Sequence, residues 1–155
     1  MSHISQPEGG APASSQTPAL FSAQRVRIQH IAGAKAEGIP LTMLTAYDAV
    51  TARILDAAGT DMLLVGDSIG NTMLGRENTL EVTLDEMAVA TRAVASATTR
   101  AMVVADFPFG TYESGPTQAL ATGLRLLKAG AQAVQLEGGA TSAKSVMALT
   151  EAARP

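Results

Sequence analysis

The sequence predicts an α/β fold, a parallel β-sheet covered by helices. Three observations carry that prediction. From residue 41 onward, short apolar runs (residues 41–44, 62–65, 101–105 and 133–136) alternate with longer amphipathic stretches, four times in succession. The runs hold adjacent apolar residues, as in strands buried on both faces. The stretches between them are long enough for the crossover helices that parallel pairing requires. Such units build either a doubly wound sheet or a (β/α)8 barrel.

Residues 1–23 are rich in Ser, Pro, Gly, Ala and Gln. They hold too little apolar surface to offset chain entropy and read as a flexible arm. A helix over about 24–36 follows, with Val26, Ile28 and Ile31 on its apolar face and Gly38 and Pro40 as its stop. After the first strand, Asp48 stands where it caps a helix over 49–58. Val50, Ile54 and Ala58 lie on one face of that helix, and Gly59 ends it. After the second strand a long loop, 68–82, leads to Thr83-Leu-Asp-Glu86. That spacing is a capping box and opens a helix to about residue 97. The third strand is followed by another long loop, 107–115. Pro116 suits the first turn of a third helix, in which Leu120, Leu124 and Leu127 form the expected inner stripe up to Gly130. The fourth strand runs into Glu137-Gly-Gly, and a last helix spans roughly 142–153.

Composition narrows the function classes. The 155 residues contain no cysteine, which excludes disulfides, thiolate metal sites and thiol catalysis and agrees with a reducing cytoplasm. Net charge is −3 with no basic block, so the cationic stripe that nucleic acid demands is missing. No apolar run approaches the roughly 18 residues of a membrane span, and the first residues do not have the pattern of a secretory signal. Neither GxGxxG nor GxxxxGK[ST] is present, which removes the main support for a dinucleotide site or a P-loop.

Function in parallel α/β folds sits at the carboxyl ends of the strands. An acid follows every predicted strand here: Asp48, Asp67, Asp106 and Glu137. Asp48 directly precedes a helix, and capping accounts for it. Asp67 and Asp106 each lead into a long loop, and Glu137 leads into a Gly-Gly turn, so capping explains none of these three. Carboxylates gathered in an apolar setting raise one another's pKa unless a cation joins them. An all-oxygen donor set with no nearby His or Cys favours Mg2+ over zinc. Asp67, Asp106 and Glu137 are therefore the expected ligands of a divalent ion. No His stands near the acids (His30 lies in the first helix, His3 in the arm), so Ser68 reads as a hydrogen-bond donor to a ligand rather than a nucleophile. Arg76 and Glu77 either line the site or face solvent.

Five segments in order, Thr45-Ala-Tyr-Asp48, Leu64-Val-Gly-Asp-Ser-Ile-Gly70, Thr79-Leu-Glu-Val-Thr83, Ala105-Asp-Phe-Pro-Phe109 and Leu136-Glu-Gly-Gly139, resemble the ketopantoate hydroxymethyltransferase family over about residues 24–155. The resemblance implies a (β/α)8 barrel, of which this chain carries about the first four βα units, assembled as a cytoplasmic homo-oligomer, typically a decamer. It implies transfer of a one-carbon unit from 5,10-methylenetetrahydrofolate to 3-methyl-2-oxobutanoate, giving 2-dehydropantoate on the way to pantothenate and coenzyme A. Asp67, Asp106 and Glu137 match the family's Mg2+ positions. Asp67, Ser68, Asp106 and Gln135 match its substrate-binding positions, with backbone help expected from the turn at 67–70. The partners implied are a 2-oxo acid and a folate, with neither nucleic acid nor membrane.

Two departures accompany the resemblance. Where the family usually has Lys, this chain has Gln135, which donates hydrogen bonds but brings no charge. The family's general base is a Glu of the second half of the barrel, so it is expected beyond Pro155. A complete barrel needs roughly 250 residues, and the chain reads as an N-terminal half. Two alternatives stand beside the transferase: a catalytically inert half-barrel that binds metal, oxo acid or a partner chain, and a related Mg2+-dependent oxo-acid carbon–carbon lyase.

Overall fold

A computed structural model describes residues 25–152, so the arm predicted over 1–23 lies outside the described residues. Four strands, β1 (Met43–Thr45), β2 (Met62–Val65), β3 (Met102–Asp106) and β4 (Ala133–Gln135), form one sheet in the order β1-β2-β3-β4. Every neighbouring pair is parallel, with Leu44 opposite Leu63, Leu63 opposite Val103, and Asp106 opposite Gln135. Helices α1 (Ile28–Glu37), α2 (Ala49–Ala57), the short α3 (Ile69–Thr72), α4 (Leu84–Ala97), α5 (Pro116–Lys128) and α6 (Ala143–Ala152), with a 3-10 turn over Gly139–Ser142 ahead of α6, complete the described chain. Among the described residues no helix is long and apolar enough to cross a membrane.

Strand alternation splits the apolar residues between two faces. Leu63, Val65, Val103 and Ala105 are fully buried with Ala52, Met87, Val94, Ala119 and Leu126 of the covering helices. Met102 and Val104 face the other way and pack with Val26, Ile31, Met62, Leu64 and Ala133. α4 opens as its sequence dictates. The Thr83 hydroxyl accepts from the Glu86 N–H at 3.2 Å, and the Glu86 carboxylate accepts from the Thr83 N–H at 2.8 Å.

The helix faces correct the sequence reading. On α2, Val50 and Ile54 are about two-thirds exposed, and Ala52 and Asp56 are buried instead. On α5, Leu124 and Leu127 are exposed, and Ala119, Thr122, Gly123 and Leu126 face inward. Small residues let the helices close on one another: a Cβ added to Gly123 would lie 2.7 Å from the Leu149 side chain of α6. Val26 precedes α1 rather than lying on it and is held by its N–H bond to the Arg100 carbonyl at 2.8 Å, while Ile28 is 67% exposed. The long loop after β2 contains α3, and Asp106 ends β3 rather than following it.

The amino ends of β1, β2 and β3 are tied by a closed polar network. The Asp56 carboxylate accepts from the N–H groups of Thr99, Arg100 and Ala101 at 2.7–3.2 Å and from the Thr99 hydroxyl. Asp61 accepts from the Thr42 N–H and hydroxyl at 3.0 Å and pairs with Arg100 at 2.8 Å. Arg100 also donates to the carbonyls of Gly59 and Thr60. Desolvation pushes both carboxyls up, but these donors win and hold both below the ordinary value.

Candidate active site

Parallel pairing brings the carboxyl ends of all four strands to one edge, and the side chains singled out in the sequence stand there. Asp67 lies two residues beyond β2, Asp106 is the last residue of β3, Gln135 is the last of β4 in register with Asp106, and Glu137 follows two residues on. Asp106 is buried, Asp67, Ser68 and Gln135 are half-buried, and Glu137 is exposed. The Phe107 N–H donates to the Gln135 carbonyl at 3.0 Å, which fixes the two strand ends side by side.

The electrostatics of this edge are the opposite of those at the amino end. Burial first, and then the charges of Asp67 and Glu137, push the Asp106 carboxyl up to about 6. The backbone N–H groups of Asp67 and Phe107 pull the other way without offsetting this, and no cation is among the groups that act on it. Asp106 therefore senses both of the other acids. They do not form a closed cage as placed: among the described residues no group of three or more His, Cys, Asp or Glu side chains is close enough to hold an ion. Mg2+ does not require such a cage. It keeps several waters and takes one or two carboxylates together with substrate oxygens. An all-oxygen set with one buried, uncompensated carboxylate fits that mode of binding.

Ser68 is positioned by a tyrosine. Its hydroxyl and the Tyr47 hydroxyl share a hydrogen bond of 2.7 Å across the ends of β1 and β2. The backbone then turns into α3, where the Ile69 and Gly70 N–H groups donate to Gly66 and Asp67 carbonyls. Those two amides are spent within the turn, so the backbone help expected from residues 67–70 does not come from them. Gly70 is required by the close return of the loop: a Cβ there would lie 2.8 Å from the Val82 side chain and 3.2 Å from the Asn78 carbonyl.

Asp48 is the cap the sequence indicated. It accepts from the Val50 and Thr51 N–H groups at 2.8 and 2.9 Å, and Thr51, through its N–H and then its hydroxyl, holds the carboxyl below its ordinary value. Arg76 turns away from the acids. It forms a forked pair with Glu86, at 3.0 and 2.6 Å, and donates to the Glu81 carbonyl, pinning the β2–α4 loop to the start of α4.

Two aromatic residues at this edge escaped the sequence reading of the site. Tyr47 is one, although it lies inside the Thr45–Asp48 segment. The other is Tyr112, whose ring packs on Phe107 with centroids 5.8 Å apart. Burial, followed by the charge of Glu113 and, more weakly, of Glu137 and Asp106, raises the Tyr112 phenol above its ordinary value. The signal available in the sequence was the density of Phe and Tyr in the loop after β3, in a chain only 3% aromatic.

Comparison with known proteins bears on this edge and on the fold. A family model described as ketopantoate hydroxymethyltransferase matches residues 25–155. The 3-methyl-2-oxobutanoate hydroxymethyltransferase of Leifsonia xyli is 53% identical over 142 residues, covering 91% of this chain and 51% of that protein. Its counterpart in Corynebacterium glutamicum is 49% identical over 136 residues, covering 87% and 51%. Among solved structures, 2,3-dimethylmalate lyase, a PEP mutase/isocitrate lyase superfamily member, superposes with a TM-score of 0.63 at 20% identity, over 80% of this chain and 47% of that one. A phosphonopyruvate hydrolase complex with oxalate and Mg++ gives 0.64 at 17% identity, over 82% and 48%. At these identities the structural likeness speaks for the fold: four βα units of a (β/α)8 barrel. The chain spans about half the length of the curated relatives it matches.

Proposed function

The chain belongs to the ketopantoate hydroxymethyltransferase family, and on that premise we propose that these residues form the metal- and oxo-acid-binding part of an enzyme of pantothenate synthesis. It transfers a one-carbon unit from 5,10-methylenetetrahydrofolate to 3-methyl-2-oxobutanoate, in the cytoplasm and as a homo-oligomer. The observation that carries the reading is the uncompensated Asp106, buried at the carboxyl end of β3 and raised to about 6 by burial and by Asp67 and Glu137. A structure of the same fold is a complex with oxalate and Mg++, and oxalate offers the adjacent oxygens that a 2-oxo acid also offers.

Asp67, Asp106 and Glu137 hold Mg2+ in this reading. When bound, the ion supplies a Lewis acid for the keto and carboxylate oxygens of the oxo acid, which acidifies the proton on C3. Ser68, held by Tyr47, and the Gln135 amide orient the substrate carboxylate by donating to it. The Phe107 N–H holds the buried Asp106 carboxylate at 3.0 Å. Removal of the C3 proton is assigned to none of the described acids.

Calorimetry on the 155-residue chain tests the reading. Binding of 3-methyl-2-oxobutanoate should require Mg2+, and Asp106→Asn should weaken it by about tenfold or more, the equivalent of about 1.4 kcal/mol. Binding without Mg2+, or undiminished affinity in the variant, overturns it. The chain alone should give no exchange of the C3 hydrogen for deuterium; exchange would put the base among these residues and would end the inert half-barrel alternative.

A further inference from the structure

Within the four-stranded sheet, β1 and β4 are each paired along one side only. An open strand edge templates further pairing, and native sheets blunt it with charges, bulges or a covering element. Charge does not blunt these two. β1 reads Met-Leu-Thr and β4 reads Ala-Val-Gln, and residues 41–47 and 129–136 contain no charged side chain. All three β1 residues are exposed, Met43 by 44% and Leu44 by 48%.

The two edges border one apolar surface. Met43, Met62 and Met102 stand in register across β1, β2 and β3. With Val104 and Ala133 they line a groove of about 770 Å3, which continues round the free side of β4 to Leu127 of α5 and to Val146 and Leu149 of α6. The helices that follow the edge strands also expose large apolar residues, Val50 and Ile54 on α2 and Val146 and Met147 on α6. Fourteen residues line the groove. Together with the rest of β1 and these helix residues, the surface approaches the roughly 20–30 residues that each partner of a stable complex contributes.

A second copy of the chain suits both edges at once. The edges lie on opposite flanks of the sheet, and all four strands run the same way. A two-fold rotation about an axis along the strands sets β4 of one copy beside β1 of the other in parallel. The same rotation makes the reciprocal junction, so one partner satisfies both edges. Four strands from each copy make eight, the number that closes a (β/α)8 barrel and removes every edge. We propose that two copies of this chain associate edge to edge, β1 of each against β4 of the other, and close a parallel ring over the row of Met43, Met62 and Met102. The inference goes beyond the transferase reading and does not depend on it.

Sedimentation equilibrium on the 155-residue chain is the test. At about 10 µM and above it should sediment at twice its 15.9 kDa. Leu44→Lys, on β1, and Val146→Lys, beside β4, should each raise the dissociation constant by about tenfold or more, because a two-fold dimer meets each new charge twice. Both replace side chains that are about half exposed, and a melt monitored by circular dichroism checks that the variants fold. Amide hydrogen exchange on the unaltered chain reads the same junctions without a substitution: the amides of Met43–Thr45 and Ala133–Gln135 should exchange more slowly as the concentration rises. A chain that remains a monomer at about 100 µM overturns the proposal. So does a dimer that both variants leave intact, which would rest on another face, or an open-ended series of oligomers, which would mean that the ring does not close. Edge-strand exchange that ignores concentration also overturns it, since a segment of the same chain would then be the cover.

Discussion

Gln135 stands where the resemblance leads to the expectation of a lysine, and its position makes the difference measurable. It ends β4 in register with Asp106 and is half-buried. A lysine there would set a cation beside a carboxylate that has none, and would meet a substrate carboxylate with a charge-assisted bond, worth about 1.5–3 kcal/mol against about 1 for a neutral one. Gln135→Lys should therefore tighten Mg2+-dependent oxo-acid binding by about tenfold and lower the apparent pKa of Asp106. Calorimetry and carboxyl carbon NMR titration check the two effects. An affinity that falls, with Asp106 unmoved, would show that the position does not face the site. Asp56 makes the contrasting case. It is buried too, yet backbone donors from three successive residues meet it. Asp56→Ala would leave those N–H groups short of partners and should cost about 2–3 kcal/mol, read as a lowered midpoint in urea melts with Mg2+-dependent binding retained in the folded fraction.

At the scale of elements, the loop from α3 to α4 is anchored in the core at Val82 and held elsewhere by polar side chains. Arg76 spans it, bonding to Glu81 and Glu86, and Glu86 separately caps α4 through Thr83. Arg76→Ala should thus accelerate amide hydrogen exchange across residues 73–82 while leaving α4 protected; equal acceleration in both would mean that the pair supports the helix itself. Strand positions and the starts of α2, α4 and α5 were legible because their causes are local. The apolar runs, Asp48, the Thr83–Glu86 box and Pro116 each act within a few residues. The three acids were legible for a related reason: parallel topology turns "just after a strand" into "at one edge". The helix faces were not. The large residues Val50, Ile54, Leu124 and Leu127 mark an apolar stripe on any helical projection, but the sheet takes the side with Ala52, Ala119, Thr122 and Gly123, because small side chains permit closer approach. Asp56 was invisible because its partners lie 43–45 residues away. The Tyr47–Ser68 bond depends in the same way on the register of β1 with β2, which no local pattern encodes.

Across the whole molecule the two ends of the sheet carry acids in opposite states, and this gives the chain a pH profile of predictable sign. At the amino end, Asp56 and Asp61 lie below the ordinary 3.8. Their contribution to stability is therefore present above about 4 and is lost as pH falls further. At the carboxyl end, Asp106 lies at about 6. A raised carboxyl favours the fold while it is protonated, so that contribution is lost as pH climbs from about 4 through 6. The metal-free chain should be most stable between these limits and weaker at pH 8, where Asp106 is charged, buried and uncompensated. Mg2+ should reverse the loss on the alkaline side only, because below pH 6 it competes with a proton for Asp106. At about a hundred times its Kd, an ion that binds only the folded chain adds about 2.7 kcal/mol, several degrees in Tm for a chain of this size. Thermal melts with and without Mg2+ at pH 5 and pH 8 decide the matter. The expected result is a clear rise in Tm at pH 8 and little change at pH 5, with Asp106→Asn raising the metal-free Tm at pH 8 and abolishing the response to Mg2+. Equal responses at the two pH values, or a response that survives in Asp106→Asn, would separate the ion from the edge of the sheet where Asp67, Asp106 and Glu137 meet.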